Sequence, residues 1–412
     1  MEHIVGFYEE FGDRLNKRDY LCGVMGDIAR RFNFKKILIP VIEKADSFSE
    51  KVIGKSPWPE WNKKGCFYFE IENYFESYRE KCKKESILLI PEGTVSATRW
   101  LGNMLDENAV SLPCKVFYEA GCYRNELIST LSSDKRREFT QFGMEIMGSS
   151  SLLSDLEVIS VADLCLKTFG LTEKQIRIRI NDIRLFNALI GECGLGDRKI
   201  EIKELLDSLA EVKAGKKPER YGAITARLKE ILSSYPLTDG EKRKFDFIIN
   251  QREYDITGLE EVFCEDVYAP AVRTIKSIRD ACCENGVNAV ADLCVIRSHE
   301  YYTGLSFEMD AVVGGKSFVE IAGGGRYDRL VENFNSMRRP IPCTGFAFGV
   351  ERVLNLLESL GVFDRPVTHS AYYDFGVGSV KTAAVATKEQ FFKAFKEIQA
   401  GNCPCEIVYN EE

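Results

Sequence analysis

The chain has 412 residues, 45% of them hydrophobic and 29% charged, which excludes a disordered or fibrous protein and allows two or three units with real cores. A formal net charge of -8 excludes a general polyanion binder, so any nucleic-acid contact must use a local basic patch. The 14 cysteines show no C-x2-C spacing and only three histidines exist, so reduced thiols in a cytosol are expected over a disulfide framework, and a His-based metal site is not expected. No signal peptide and no bilayer-length apolar run is read, which gives the expectation of a cytoplasmic protein without membrane contact.

Residues 1–35 read as helix, leading into Ile37-Leu-Ile-Pro40-Val-Ile, a buried strand whose proline implies an edge, a bulge or an interface. Pro57, Trp58, Pro59 and Trp61 mark an irregular loop, and a short apolar strand over 86–90 stops at Pro91-Glu92-Gly93-Thr94. Two strands follow. In 115–126, Arg124 and Glu126 share one face by alternation. In 137–147, Thr140, Phe142, Met144 and Ile146 share a core face, while Arg137, Gln141, Gly143 and Glu145 lie on the other. That second face is either the floor of a polar site or a wet sheet face.

Ser154 and Glu157 form a capping-box pattern for a helix that stops at Gly170, and Ile176, Ile178 and Ile180 alternate as a strand. Residues 183–290 are helical and charge-rich, a candidate insertion. Their basic cluster (Lys213, Lys216, Lys217, Arg220, Arg227, Lys229) is either a solvated helix face or a contact to a nucleic-acid backbone. Leu305, Phe307, Met309 and Ala311 alternate before a Gly314-Gly315 turn, and 318–322 runs into Gly323-Gly324-Gly325-Arg326-Tyr327-Asp328. The segment 345–352 opens a further helix, and the last stretch reads β-α-β.

Arginine binds phosphate bidentately without losing its proton, and Arg124, Arg297 and Arg352 each lie beside a glycine turn, an aromatic pair or a strand end. Glu92, Gln141 and Glu145 are acceptors suited to an ammonium or a ring N–H. Singly, each reads as a surface salt bridge; together they describe a site for an amine-bearing substrate beside a nucleotide. The glycine triplet is no dinucleotide or P-loop fingerprint.

These residues resemble the class II aminoacyl-tRNA synthetases. Tyr123-Arg124-Asn125-Glu126 followed by Arg137 to Glu145 resembles motif 2, 345–352 resembles motif 3, and Pro40 fits motif 1, a dimer-interface element. The segments 91–94, 301–304 and 323–328 are similar to the histidyl branch, and the resemblance covers about residues 1–360. It implies an α+β fold: a six- or seven-stranded antiparallel sheet flanked by helices in a homodimer, with ATP bound alongside Mg²⁺ and no metal held by the protein alone. The expected division is 1–182 and 291–362 as catalytic core, 183–290 as helical insertion and 363–412 as a shortened anticodon-binding-like segment.

The resemblance assigns Arg124 to the α-phosphate, Arg352 to the ATP tail and Arg297 to the extra catalytic arginine, with Glu126 and Arg137 also on the ATP side. Glu92, Thr94 and Gln141 would hold the α-amino group, Glu145 and Tyr302 would read the imidazole, and Tyr327 would line the pocket. The implied reaction is attack of the histidine carboxylate on the α-phosphate, giving histidyl-adenylate and pyrophosphate, then transfer to tRNA or another acceptor. The alternative is a non-catalytic, histidine-sensing regulatory subunit partnering a short-form ATP phosphoribosyltransferase. The departures from the family pattern are the shortened end, the Ser-rich loop over 127–135 and Ser298-His299-Glu300 before the tyrosine pair.

Overall fold

The computed structural model describes residues 3–54, 64–75, 77, 82–132, 135–251, 254–297, 300–363, 381–400 and 405–409. The Pro-Trp loop at 57–61 and Ser298-His299 lie outside the described residues. In chain order the elements are α1 (Asp13–Arg31), β1 (Lys35–Lys36), β2 (Ile42–Lys44), α2 (Glu50–Ile53), β3 (Tyr68–Asn73), β4 (Lys83–Leu89), α3 (Thr94–Asp106), β5 (Cys114–Tyr123), β6 (Glu138–Met147), α4 (Leu152–Thr168) and β7 (Ile176–Asp182). Six helices follow: α5 (Ile183–Glu192), α6 (Lys199–Lys213), α7 (Tyr221–Ser233), α8 (Asp239–Asn250), α9 (Leu259–Val262) and α10 (Ala269–Glu284). The chain then returns through β8 (Ala289–Ala291), β9 (Leu305–Val313), β10 (Lys316–Arg326), β11 (Cys343–Gly349) and α11 (Val350–Ser359) to β12 (Lys381–Val385), α12 (Lys388–Ala400) and β13 (Cys405–Tyr409).

An eight-stranded sheet runs in the order β1-β5-β6-β11-β10-β9-β7-β8. Its six inner strands pair antiparallel, and a short parallel strand closes each edge, β1 on β5 and β8 on β7. The sheet is therefore wider than the six or seven strands expected. Parallel neighbours need a crossover, and helices α5 to α10 supply the one between β7 and β8.

The alternation read in the sequence decides which face is dry. Phe142, Met144 and Ile146 of β6, Phe307, Met309 and Ala311 of β9, and Phe346 and Phe348 of β11 form one core with Met25 of α1, Leu156 and Ile159 of α4 and Val353 and Leu357 of α11. Burying each such side chain contributes about 1.5–3 kcal/mol. The opposite face of the same strands is left for polar residues.

Three local readings are corrected. Only 13–31 of the first 35 residues are helical, and α1 starts after Gly12, whose φ is 66°. Residues 37–41 form no buried strand: Leu38 is 88% exposed and pairing resumes at β2, because Pro40 has no N–H to give to a ladder. Helix α4 is capped by Ser151, whose Oγ accepts from Leu153 N at 3.2 Å, so Ser154 lies inside the helix. Glu157 is instead buried against Lys115, with Nζ at 2.8 and 2.9 Å from its two oxygens.

Candidate active site

Residues directly opposite on neighbouring strands share a face. The register thus lays Tyr118, Gly143, Ala347, Gly323, Glu308 and Arg179 in one row across the sheet. Val116, Glu145, Gly345, Gly325, Ser306 and Asn181 form the next. Glycines dominate the middle strands, so the floor is low there. A Cβ at Gly345 would sit 1.6 Å from Glu145 Oε2, and one at Gly323 would sit 2.1 Å from Arg297 Nη1. The missing side chains make room for a carboxylate at one place and a guanidinium at the other.

Glu145 is 1% exposed and collects three hydroxyl donors. Thr94 Oγ1 donates to Oε1 at 3.0 Å from the start of α3, Tyr118 OH donates to Oε1 at 3.0 Å from β5, and Tyr327 OH donates to Oε2 at 2.6 Å from the end of β10. Burial pushes the Glu145 carboxyl up to about 8, against the pull of these hydroxyls. Tyr301 packs edge-on to Tyr327 at 5.9 Å and lies against Tyr302 at 5.0 Å, and Tyr302 is within hydrogen-bonding reach of Arg297.

Glu92 and Gln141 converge on the free N–H groups at the start of α3. Glu92 accepts from Thr94 N and Val95 N, both at 2.8 Å, and Gln141 Oε1 accepts from Gly93 N at 2.8 Å. Their oxygens thus hold the helix start in place, and a carboxylate retains lone pairs for a further donor. Burial raises the Glu92 carboxyl, opposed by these amides.

Each arginine is held by its own partner. Arg297 Nη1 pairs with Glu308 at 3.1 Å, while its Nε is buried and has no hydrogen-bond partner among the described residues. A guanidinium that keeps its charge and stays partly accessible fits an oxygen-rich anion such as a phosphate. Arg352, in the first turn of α11, donates to the Glu320 carbonyl at 2.6 Å. Glu320 has a φ of 56° at a bulge in β10, a left-handed conformation costly for a side-chain-bearing residue. Arg124 donates from Nε to the Pro91 carbonyl at 3.0 Å and lies over the Phe139 ring at 5.0 Å. Arg137 and Glu126 hold each other, Nε and Nη2 donating to the Glu126 carbonyl at 3.2 and 3.1 Å, and Glu126 also pairs with Lys135 at 3.0 Å.

The structure therefore brings Thr94, Glu145, Tyr302, Tyr327 and Arg297 into one connected cluster and leaves Arg137 and Glu126 tied to each other at the β5–β6 connection. Sequence reasoning missed Tyr118, Glu308 and Arg179. Arg179 is fully buried and reaches Asp310 at 2.6 Å, Glu308 at 2.8 Å and Asp292 at 3.2 Å. Charges at alternate positions of otherwise apolar β7 and β9 were the available signal. The basic cluster of the helical region is partly spent internally. Lys216 pairs with Glu211, Arg227 pairs with Glu201 at 2.8 Å, and Lys213 donates to the Ile248 carbonyl at 3.0 Å.

A family model described as Histidyl-tRNA synthetase matches residues 78–353. The chain is 28% identical over 337 residues to the histidine--tRNA ligase of Metallosphaera sedula, covering 82% of this chain and 70% of that one. It is 29% identical over 372 residues to that of Saccharolobus solfataricus, covering 89% and 78%. Among solved structures, an ATP phosphoribosyltransferase regulatory subunit/histidyl-tRNA synthetase from Bacillus halodurans matches with a TM-score of 0.65 at 19% identity, over 99% of this chain and 92% of that one. The histidyl-tRNA synthetase from Nostoc sp. matches at 0.64 and 17%, over 100% and 86%. The sheet and its flanking helices have the fold of the class II aminoacyl-tRNA synthetases. Within that class, the chain belongs to the histidyl-tRNA synthetase family.

Proposed function

We infer that the protein activates histidine with ATP, forming histidyl-adenylate and pyrophosphate for transfer to tRNA(His) or another acceptor. The observation that carries this reading is Arg297, a half-buried cation on the glycine floor beside Tyr302. A protein that only sensed histidine would need this cation only as the partner of Glu308, whereas adenylate formation would also use it on the α-phosphate. Glu145 and its hydroxyls would read the imidazole, with Tyr302 and Tyr327 walling the pocket. Glu92, Thr94 and Gln141 would hold the α-amino group at the start of α3.

The carboxylate of histidine is already ionised, so it attacks the α-phosphorus without a general base and the P–O bond to pyrophosphate breaks. Arg124 and Arg297 would stabilise charge on the α-phosphate, and Arg352 would take the triphosphate tail, with Glu126 and Arg137 shaping the adenine side. Mg²⁺ would arrive on the triphosphate. Residues 1–182 and 291–362 then form the catalytic body around the 183–290 insertion, followed by 363–412. Exposed Leu38, Ile42, Phe69 and Phe75 on and beside the β2-β4-β3 sheet support a homodimer that covers them.

The test is Arg297→Ala. Histidine-dependent ATP–pyrophosphate exchange is expected to fall at least about 100-fold while calorimetric histidine binding persists. Unchanged exchange would remove Arg297 from the mechanism. Histidine binding without exchange in the unaltered protein would favour the regulatory alternative.

A further inference from the structure

Helix α6 carries Lys199, Lys203, Asp207 and Glu211 at four-residue spacing, so they share one stripe of its surface. That stripe borders the site. Lys203, only 1% exposed, pairs directly with Glu300, and Lys199 pairs with the same carboxylate at 3.2 Å. Asp207 lies in the field of Glu308, Glu320 and Arg297. Glu211 pairs with Lys216.

Glu300 stands between the residues that matter most to the site. Arg297 precedes it; Tyr301 and Tyr302 follow it. Arg297 holds a φ of 56°, a left-handed conformation that an arginine keeps only where its surroundings fix it. Gly54 backs Glu300 from the other side, where an added Cβ would meet the Glu300 Cβ. Burial works to raise the Glu300 carboxyl, but Lys203 and Lys199 outweigh it and hold it below its ordinary range.

We propose that Lys203 and Glu300 are positioning residues: through the pairing of buried Lys203 with half-buried Glu300, helix α6 holds Arg297 and Tyr302 against the sheet and so sets the histidine pocket. The helical region is on this account a wall of the site rather than an appendage. The inference rests on the histidine-binding part of the proposed function and not on adenylate formation.

The experiment compares calorimetric histidine affinity and melting temperature in Lys203→Met, Glu300→Gln and their double variant. Lys244→Met is the control, because Lys244 is equally buried in the same helical region but pairs with Glu192 and Glu265, away from the 297–302 segment. Each single variant at the pair is expected to weaken histidine binding about tenfold, with the double variant no weaker than the worse single. Lys244→Met is expected to lower melting temperature and leave affinity unchanged. If Lys203→Met does not fold, Glu300→Gln against Lys244→Met gives the same comparison. Equal affinities in the pair variants and the control, or additive losses in the double variant, would overturn the proposal. Exchange activity of the unaltered protein reads the catalytic function separately.

Discussion

Burial of Glu145 ties the stability of the fold to pH. Its carboxyl sits at about 8 because burial disfavours the charged form. The ordinary value is 4.5, so the folded state binds this proton more tightly than the unfolded one. The contribution to stability therefore falls as pH rises from the unfolded value through about 8. Glu145→Gln removes that dependence. Between about pH 5 and pH 8.5 the stability difference is expected to move in the variant's favour by on the order of 3 kcal/mol, read by urea unfolding at each pH. The same variant should weaken histidine binding by about 2- to 10-fold near neutral pH, since the carboxyl is there mainly protonated and a neutral hydrogen bond contributes about 0.5–1.5 kcal/mol. Arg179 makes the opposite case. Its three carboxylate partners would be left buried without a cation in Arg179→Met, and a loss of at least about 3–5 kcal/mol is expected in the same assay.

At the scale of elements, the site depends on what the inner strands omit. Gly323→Ala puts a methyl where the Arg297 guanidinium lies, and the end of that side chain can swing away. Melting temperature should fall by only a few degrees while exchange activity falls at least about tenfold, because the displaced group is the one proposed to meet the α-phosphate. Strand β6 was fully legible in the sequence, since period-two alternation separates Phe142, Met144 and Ile146 from Gln141, Gly143 and Glu145 without any long-range information. The start of α4 was not. Ser154 and Glu157 fit a capping pattern, but Ser151 three residues earlier serves as the cap, and Glu157 answers to Lys115 on a distant strand. Tyr118 and Glu308 escaped for a similar reason. Their roles come from register across β5–β6 and β9–β10, and no local spacing encodes which residues end up opposite each other.

For the whole molecule, the question left open by the sequence was where the final β-α-β unit goes. It docks on the dry side of the main sheet. Tyr409 donates to Glu157, Lys115 reaches the Ile407 carbonyl at 3.5 Å, and Phe395 packs on Phe32 at 4.9 Å. Glu157→Gln should destabilise the protein by about 3–5 kcal/mol in urea unfolding, because Lys115 stays buried without its partner. Combining it with Lys115→Met should recover most of that loss. The helical region, legible as helix and as charge-rich, was not legible as part of the site, because the pairing of Lys203 with Glu300 joins residues far apart in the chain. Among the described residues no helix is long and apolar enough to cross a membrane.

The central claim is that this arrangement forms an adenylate, and ATP–pyrophosphate exchange with each amino acid in turn, in the presence of Mg²⁺, tests it most directly. The account predicts exchange that depends on histidine and is at background with the other amino acids. Absence of exchange with histidine, under conditions where calorimetry shows histidine bound, would contradict it.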